Sequence, residues 1–310
     1  MSEPAAWLAW VWAPITIGAA LAQTARNTAQ RSLVAQAGTL GATLVRFLYG
    51  LPFAAAWVAL LHVLPATAAA LPAFHGRYFG WMVFGAVTQL AATALLLAAM
   101  RQRNFVIGVA YSKTDALQVA LFGALLLREL PGWWTLLAMA LATAGVILLS
   151  LPKAAADGAR AGTWTGSAAL YGIASGAGFA LSAVGFRAAT LELPQSSPWI
   201  AAAWTVLWAQ VTQTLLLGGW LAWRSPEVLR VVTRAWRVSA LAGAMGALAS
   251  IGWFTGFALT TAANVRTLGL VEVVFSYLVS HRLLREELTV REAAGLVLVA
   301  VGLLALFASL

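Results

Sequence analysis

Apolar runs of about twenty residues, the length an α-helix needs to cross a bilayer, recur along this chain with only short polar connections. Ten are read off, at roughly 6–26, 39–64, 77–100, 104–127, 132–151, 164–187, 198–223, 236–260, 262–284 and 290–309. Only 9% of the 310 residues are charged, and the mean hydropathy is +0.85. A soluble domain carries about 25% charged residues, so too little charge exists here to cover a water-facing surface. A soluble globular fold and intrinsic disorder are both excluded, which leaves an all-α membrane protein. The net charge of +9 would suggest nucleic acid in a soluble chain. Here the Arg residues lie between spans, where they face anionic headgroups, so the expected partner is the lipid bilayer and not nucleic acid. The absence of Cys excludes disulfides, zinc–thiolate sites and thiol catalysis. The opening Met-Ser-Glu-Pro is acidic, and the first span is expected to be retained rather than cleaved as a signal peptide.

The two halves can be laid on each other with a constant offset of 157 residues. Trp7 then meets Trp164, Arg77 meets Arg234, Gly145 meets Gly302, and Asp115 meets Glu272. Leu126-Leu127-Arg128-Glu129 meets Leu283-Leu284-Arg285-Glu286, with an acid fourteen residues upstream in both halves. Leu and Ala matches arise by chance in such a composition, but this quartet with its spaced acid does not readily do so. The expected organisation is a first five-helix repeat over 1–151, a linker over 152–163 holding Lys153, Asp157 and Arg160, and a second repeat over 164–310. Five is odd, so the second half enters the membrane from the opposite side. The repeat is therefore expected to be inverted, with a pseudo-two-fold axis in the membrane plane.

These features resemble the drug/metabolite transporter superfamily, in its EamA-type branch of ten-helix carriers. The residues that carry the resemblance are Arg46-Phe47, Leu126–Leu130 and Gly145 in the first half. In the second half they are Leu270-Val271-Glu272, Leu283–Glu286 and Gly302. The segment from Phe105 to Asp115 looks like a variant fourth helix of some bacterial members. The sequence departs from the family where Ala116 and Val273 replace a frequent Pro, and where Arg128 and Arg285 replace a common Gly. The resemblance implies small organic solutes as cargo, such as amino acids, nucleosides, sugars or drugs, most often exported.

Asp115 and Glu272 fall at the centres of spans four and nine. An ionisable group at the midplane costs at least about 2.5–3.5 kcal/mol, so it normally faces the bundle interior and has a partner. The two acids are candidate coupling or substrate-amine sites, with Lys113 and Arg266 as available partners. On a continuous helix Lys113 lies about 200° around from Asp115, so it reaches a carboxylate on another span, a substrate carboxylate, or the cavity. Tyr111, Asp115, Gln118 and Phe122 would share one stripe. Gln23, Gln89, Gln210, Gln213, Tyr171 and Trp253 are further cavity candidates, each also suited to a plain helix–helix contact. Trp7, Trp10, Trp133, Trp134, Trp164, Trp220 and Trp223 near span ends read as interface anchors. The Gly172/Gly176 and Gly252/Gly256 pairs read as close-packing positions.

No catalytic residue, metal or cofactor is expected. Glu286-Glu287-Leu-Thr-Val-Arg291 matches a string found in intramembrane endopeptidases, but those need His in later spans, and His62, His75 and His281 all precede it. No phosphate-binding Gly-x-x-x-x-Gly-Lys string occurs. The reading is therefore a secondary transporter in a bacterial inner membrane, monomeric or weakly dimeric, working by alternating access with possible proton coupling. An uncoupled uniporter is the nearest rival; an intramembrane enzyme or a cargo-free scaffold is more distant. Connections after odd-numbered spans hold thirteen basic residues and those after even-numbered spans at most four. The positive-inside rule then places both termini outside, whereas the resemblance implies both are cytoplasmic.

Overall fold

The computed structural model describes residues 10–65, 67, 69–100, 111–150, 166–275 and 289–308. Every regular element among them is helical. Helix α1 (Trp12–Leu48) joins spans one and two and bends at Gly38, whose φ of 68° and ψ of 175° suit only glycine. The expected loop around residues 27–38 is therefore largely helix. Helix α2 (Leu51–Val63) resumes span two with Pro52 in its first turn, where a missing N–H costs nothing. Then come α3 (Gly76–Met100), α4 (Asp115–Leu127), α5 (Trp133–Ser150), α6 (Ser167–Leu191) and α7 (Pro198–Gln213). Span seven continues through a π-turn at Thr214–Gly218 into α8 (Gly219–Arg224). The connection that follows is itself a helix, α9 (Pro226–Arg234). Helices α10 (Trp236–Leu259), α11 (Ala262–Gly269) and α12 (Val290–Ala308) complete the described chain. Among the described residues, seven helices are long and apolar enough to cross a membrane. The linker, Trp7, Trp164, Phe105–Ala110, His281 and the Leu283–Glu286 quartet lie outside the described residues.

The chain forms two compact units, and they are not the two sequence halves. The first contains Met1–Val87 and Gly185–Thr261; the second contains Thr88–Val184 and Ala262–Leu310. Each draws helices from both halves, and α3 and α6 contribute to both units.

In the second unit α5 packs on α12, and this pair carries the repeat at residue level. A β-carbon at Gly145 would lie 2.7 Å from the Gly295 carbonyl oxygen and the Val299 nitrogen. One at Gly302 would lie 2.8 Å from the Ala138 carbonyl oxygen and 2.6 Å from the Ala142 nitrogen. Gly145 and Gly302, Ala138 and Gly295, and Ala142 and Val299 are all equivalents at the 157-residue offset. The contacts of one glycine thus map onto those of the other. That exchange is the signature of a two-fold contact. The two helices also run antiparallel, which an inverted repeat requires of this pair and a parallel repeat forbids. The nearby apolar cluster includes Ala142 and Val299 and joins two more equivalent pairs: Ala116 with Val273, and Val146 with Leu303.

In the first unit α1 packs along α10, and α2 packs on α7. Val58, Leu61, Ile200 and Ala203 are buried together beneath Trp57, Trp199, Trp204 and Leu207. Trp204 Nε1 donates to His62 Nε2 at 3.0 Å, and the buried Tyr78 hydroxyl donates to Thr205 Oγ1 at 3.3 Å. Helix α9 lays Val228 and Val232 against Leu33, Ala37 and Gly41 of α1 and leaves Arg230 and Arg234 exposed. Trp133, Trp134, Trp220 and Trp223 are exposed near helix ends, as interfacial anchors are.

Candidate functional site

Span four does not run straight through its acid. Lys113 and Thr114 form a turn, and α4 begins at Asp115. The Thr114 N–H and hydroxyl both donate to the Tyr111 carbonyl, at 3.1 and 2.7 Å. A hydroxyl competing for a helix carbonyl offers the backbone an alternative to the ladder. The expected angle between Lys113 and Asp115 rested on a continuous helix, so it does not hold.

Span nine is interrupted at the equivalent place. Helix α11 ends at Gly269, Leu270 makes a turn, and helix resumes over 271–275. Leu270 N–H donates to the Thr267 carbonyl and Val273 N–H to the Leu270 carbonyl, both three-residue bonds. Leu270 is the equivalent of Lys113. Each of the two acids therefore follows, by two residues, a break in its own helix.

Within the second unit these breaks surround an ion pair. The Asp115 side chain is 4% exposed, and Arg266 Nη2 donates to its Oδ2. Glu272, half-buried beyond the Leu270 turn, acts electrostatically on the same guanidinium. Gln118 Nε2 donates to Thr114 Oγ1 at 2.8 Å. Gly176 of α6 lies against this turn, where a β-carbon would sit 3.0 Å from Gln118 Nε2 and 3.1 Å from the Ser112 carbonyl oxygen.

Of the residues singled out by sequence, the structure brings Asp115, Arg266 and Glu272 together, with Tyr111 and Lys113 at the turn before Asp115. Lys113 is half-buried and has no ion-pair partner among the described residues. The partner of Asp115 is Arg266 rather than Lys113. Gln89 is half-buried on α3, its carbonyl accepting from Thr93 Oγ1. Trp253 belongs to the first unit, 8% exposed, its Nε1 donating to Gln23 Oε1 at 3.1 Å. No group of three His, Asp or Glu able to hold a metal occurs among the described residues.

Sequence reasoning missed a cationic site in the first unit. Arg26, at the end of span one and one of the thirteen basic residues assigned to the connections after odd-numbered spans, is 6% exposed inside α1. Its Nε and Nη2 donate to Asn27 Oδ1 at 3.2 and 2.7 Å. Arg46, noted only as a family signature, is half-buried, its guanidinium 4.6 Å from the centroid of Phe47. A signal was present: Ala19, Gln23 and Arg26 fall at i, i+4 and i+7, one helical stripe, and that stripe meets α10 at Gly252, Trp253 and Gly246. The first unit also has an open concavity of about 490 Å³ at its loops, lined by His75, Arg77 and Glu192 among others. Its Arg77–Glu192 pair, 3.1 Å apart, is mostly exposed on the Arg side and contributes little.

Residues 166–308 match the EamA-like transporter family. A crystal structure titled only as that of a protein, 17% identical, superposes with a TM-score of 0.71 over 95% of this chain and 96% of its own. At that identity the likeness speaks for the fold alone. No curated protein matches the sequence. The second half of the chain thus carries an EamA-like transporter domain, in a multi-pass membrane protein whose regular elements are all helical among the described residues.

Proposed function

We propose that the protein is a secondary transporter, not an enzyme, that exports a small organic solute across a bacterial inner membrane by alternating access coupled to protons. The observation that carries this reading is the pair of equivalent helix breaks, each followed by an acid, with Arg266 between them in charge. Interrupted helices in corresponding positions of two repeats are where carriers build solute and ion sites. Freed backbone groups at membrane depth are tolerated where they are buried in protein or line a cavity, not where they face lipid.

The two carboxylates have different surroundings. Asp115 is buried and held by Arg266, so its charge is spent on a fixed contact. Glu272 is half-buried and shares that guanidinium electrostatically. Loss of hydration disfavours the charged form of a carboxyl group, and renewed access to water restores it. Glu272 is thus the group suited to take a proton in one state and release it in the other. When it is neutral, Arg266 is left to Asp115 alone; when it ionises, it competes for the guanidinium. That competition is a differential contact of the kind that can bias a two-state element.

Protein reconstituted in liposomes tests this with a screen of labelled solutes, with and without an imposed pH difference. Glu272→Gln is expected to abolish concentrative transport while solute counterflow survives. A Gln variant that still concentrates solute under a pH difference would remove Glu272 from the coupling role. A wild-type protein indifferent to the pH difference would make it an uncoupled facilitator of the same fold.

A further inference from the structure

We infer that Arg26, Arg46 and Gln210 form a binding site, inside the first unit, for the carboxylate group of the transported solute. The inference rests on the transport reading above and names the chemistry of its cargo. Helix α10 has 24 residues, and Gly246 is its eleventh, so this glycine lies near the middle of the span. The stems of both arginines pack on it: a β-carbon there would meet Arg26 Cδ and Arg46 Cβ at 3.3 Å each. The side chains of two arginines therefore start from the same depth of a membrane-spanning unit, on α1 before and after its bend at Gly38. A charged side chain is costly inside a bilayer, and residues kept at that cost mark solute or ion pathways.

A separate observation points the same way. Gln210 of α7 is 3% exposed, yet neither its Oε1 nor its Nε2 has a hydrogen-bond partner among the described residues. Its amide lies against Gly50, where a β-carbon would be 2.9 Å from Oε1 and 3.2 Å from Nε2. Gly50 is four residues after Arg46, though the α-helix stops at Leu48 and the intervening turn keeps helical dihedrals at Tyr49 and Gly50. The unsatisfied amide is thus about one turn along from the Arg46 backbone, on the stretch of chain from which that side chain springs. Buried polar atoms are nearly always paired, and those that are not call for an explanation. Guanidinium forks and an amide N–H₂ offer donors to a planar, two-oxygen anion. The two guanidiniums hold no acceptor and repel an ammonium group, which would find only Gln210 Oε1. Asn27, which already accepts from Arg26 at two nitrogens, holds that guanidinium in place.

Detergent-purified protein is tested by scintillation-proximity binding of radiolabelled L-amino acids and short 2-hydroxy acids, each in competition with its own carboxamide. Counterflow of the same labels is measured in liposomes. At least one acid is expected to bind saturably, with its amide weaker by about tenfold or more, the scale of a lost hydrogen bond to a charged group. Arg46→Gln and Arg26→Gln should lower acid affinity by a similar factor and leave amide affinity nearly unchanged, collapsing the acid-to-amide ratio. Gln210→Leu removes an unsatisfied amide and should keep the fold, so it serves where an arginine variant fails to fold. It is expected to weaken acid binding while melting no lower than wild type. The inference is overturned if no acid binds saturably, if acid and amide bind alike, or if Gln210→Leu and every folded arginine variant keep the wild-type ratio. Discriminating binding without counterflow would overturn the transport reading and leave the site standing. Counterflow confined to solutes lacking a carboxylate would do the reverse.

Discussion

Asp115, with a side chain 4% exposed, and Arg266 are the two charges whose removal the structure makes most informative. Asparagine at 115 would leave Arg266 facing a neutral amide, and breaking one side of a buried pair costs about 3–5 kcal/mol in soluble precedents. Asp115→Asn is therefore expected to lower the melting temperature in detergent clearly. The double change Asp115→Leu with Arg266→Met should recover most of the loss, because an apolar pair of similar volume removes both desolvation penalties. A double variant no more stable than the single one would mean that Arg266 has its main role elsewhere. Asp115 and Glu272 were legible in the sequence because a lone acid inside an apolar run has few explanations. Arg26 was not. Gln23, Thr24, Arg26, Asn27, Thr28, Gln30 and Arg31 lower the hydropathy over a whole stretch, and a polar stretch between two apolar runs reads as a loop. Here it stays helical to Gly38 and turns its polar stripe inward.

Helices in this chain stop for reasons of two kinds, and only one is written in residue type. Arg128 ends α4 in the left-handed region, φ 59° and ψ 25°, while Glu129 N–H reaches back to the Gly123 carbonyl at 3.1 Å. A helix end with this left-handed residue is one that glycine normally completes, and it falls where the sequence departs from a common family glycine. Arg128 is exposed, so its side chain contributes little there. Arg128→Gly is expected to raise stability by up to about 1 kcal/mol, since a left-handed residue with a β-carbon costs roughly that much. Gly38 has the opposite sign. At φ 68° and ψ 175°, Gly38→Ala should cost about 1–3 kcal/mol. Thermal melts of both variants check the pair; equal shifts in the same direction would contradict the backbone argument. The breaks before Asp115 and Glu272 belong to the other kind. Neither turn itself holds proline or glycine, though Gly269 directly precedes the second: the first is Lys113-Thr114 and the second Leu270. Hydropathy alone reads both spans as continuous, and only the three-residue hydrogen bonds reveal the interruption.

At the scale of the molecule, the 157-residue offset was legible because the same spacing joins residues of unlike character: a Trp, an Arg, a Gly and an acid. The compact units were not, since a repeat in sequence says nothing about which helices exchange contacts. In the second unit α5 of one half packs on α12 of the other, and in the first unit α1 packs on α10. Orientation is where charge and family point opposite ways, and the structure revises the charge count. Arg26 is buried within α1 and Arg266 is paired to Asp115, so neither is a loop charge. The thirteen basic residues after odd-numbered spans become twelve, and the four after even-numbered spans become three. The bias is undiminished. Four of the twelve, Arg224, Arg230, Arg234 and Arg237, are exposed on or beside the short helix α9, next to the exposed Trp223 and Trp236. A basic, tryptophan-flanked interfacial helix is drawn to the anionic cytoplasmic leaflet, at about 1 kcal/mol for each cation near the surface. We therefore expect the connections after odd-numbered spans to be cytoplasmic. The chain has no Cys, so Ala156→Cys in the linker and Ser309→Cys near the other end can each be probed alone on intact cells with an impermeant maleimide. Labelling at 309 and not at 156 is the expected result. Labelling at 156 and not at 309 would mean that the family orientation prevails, with α9 and its four arginines on the outer face despite the cost in lipid attraction.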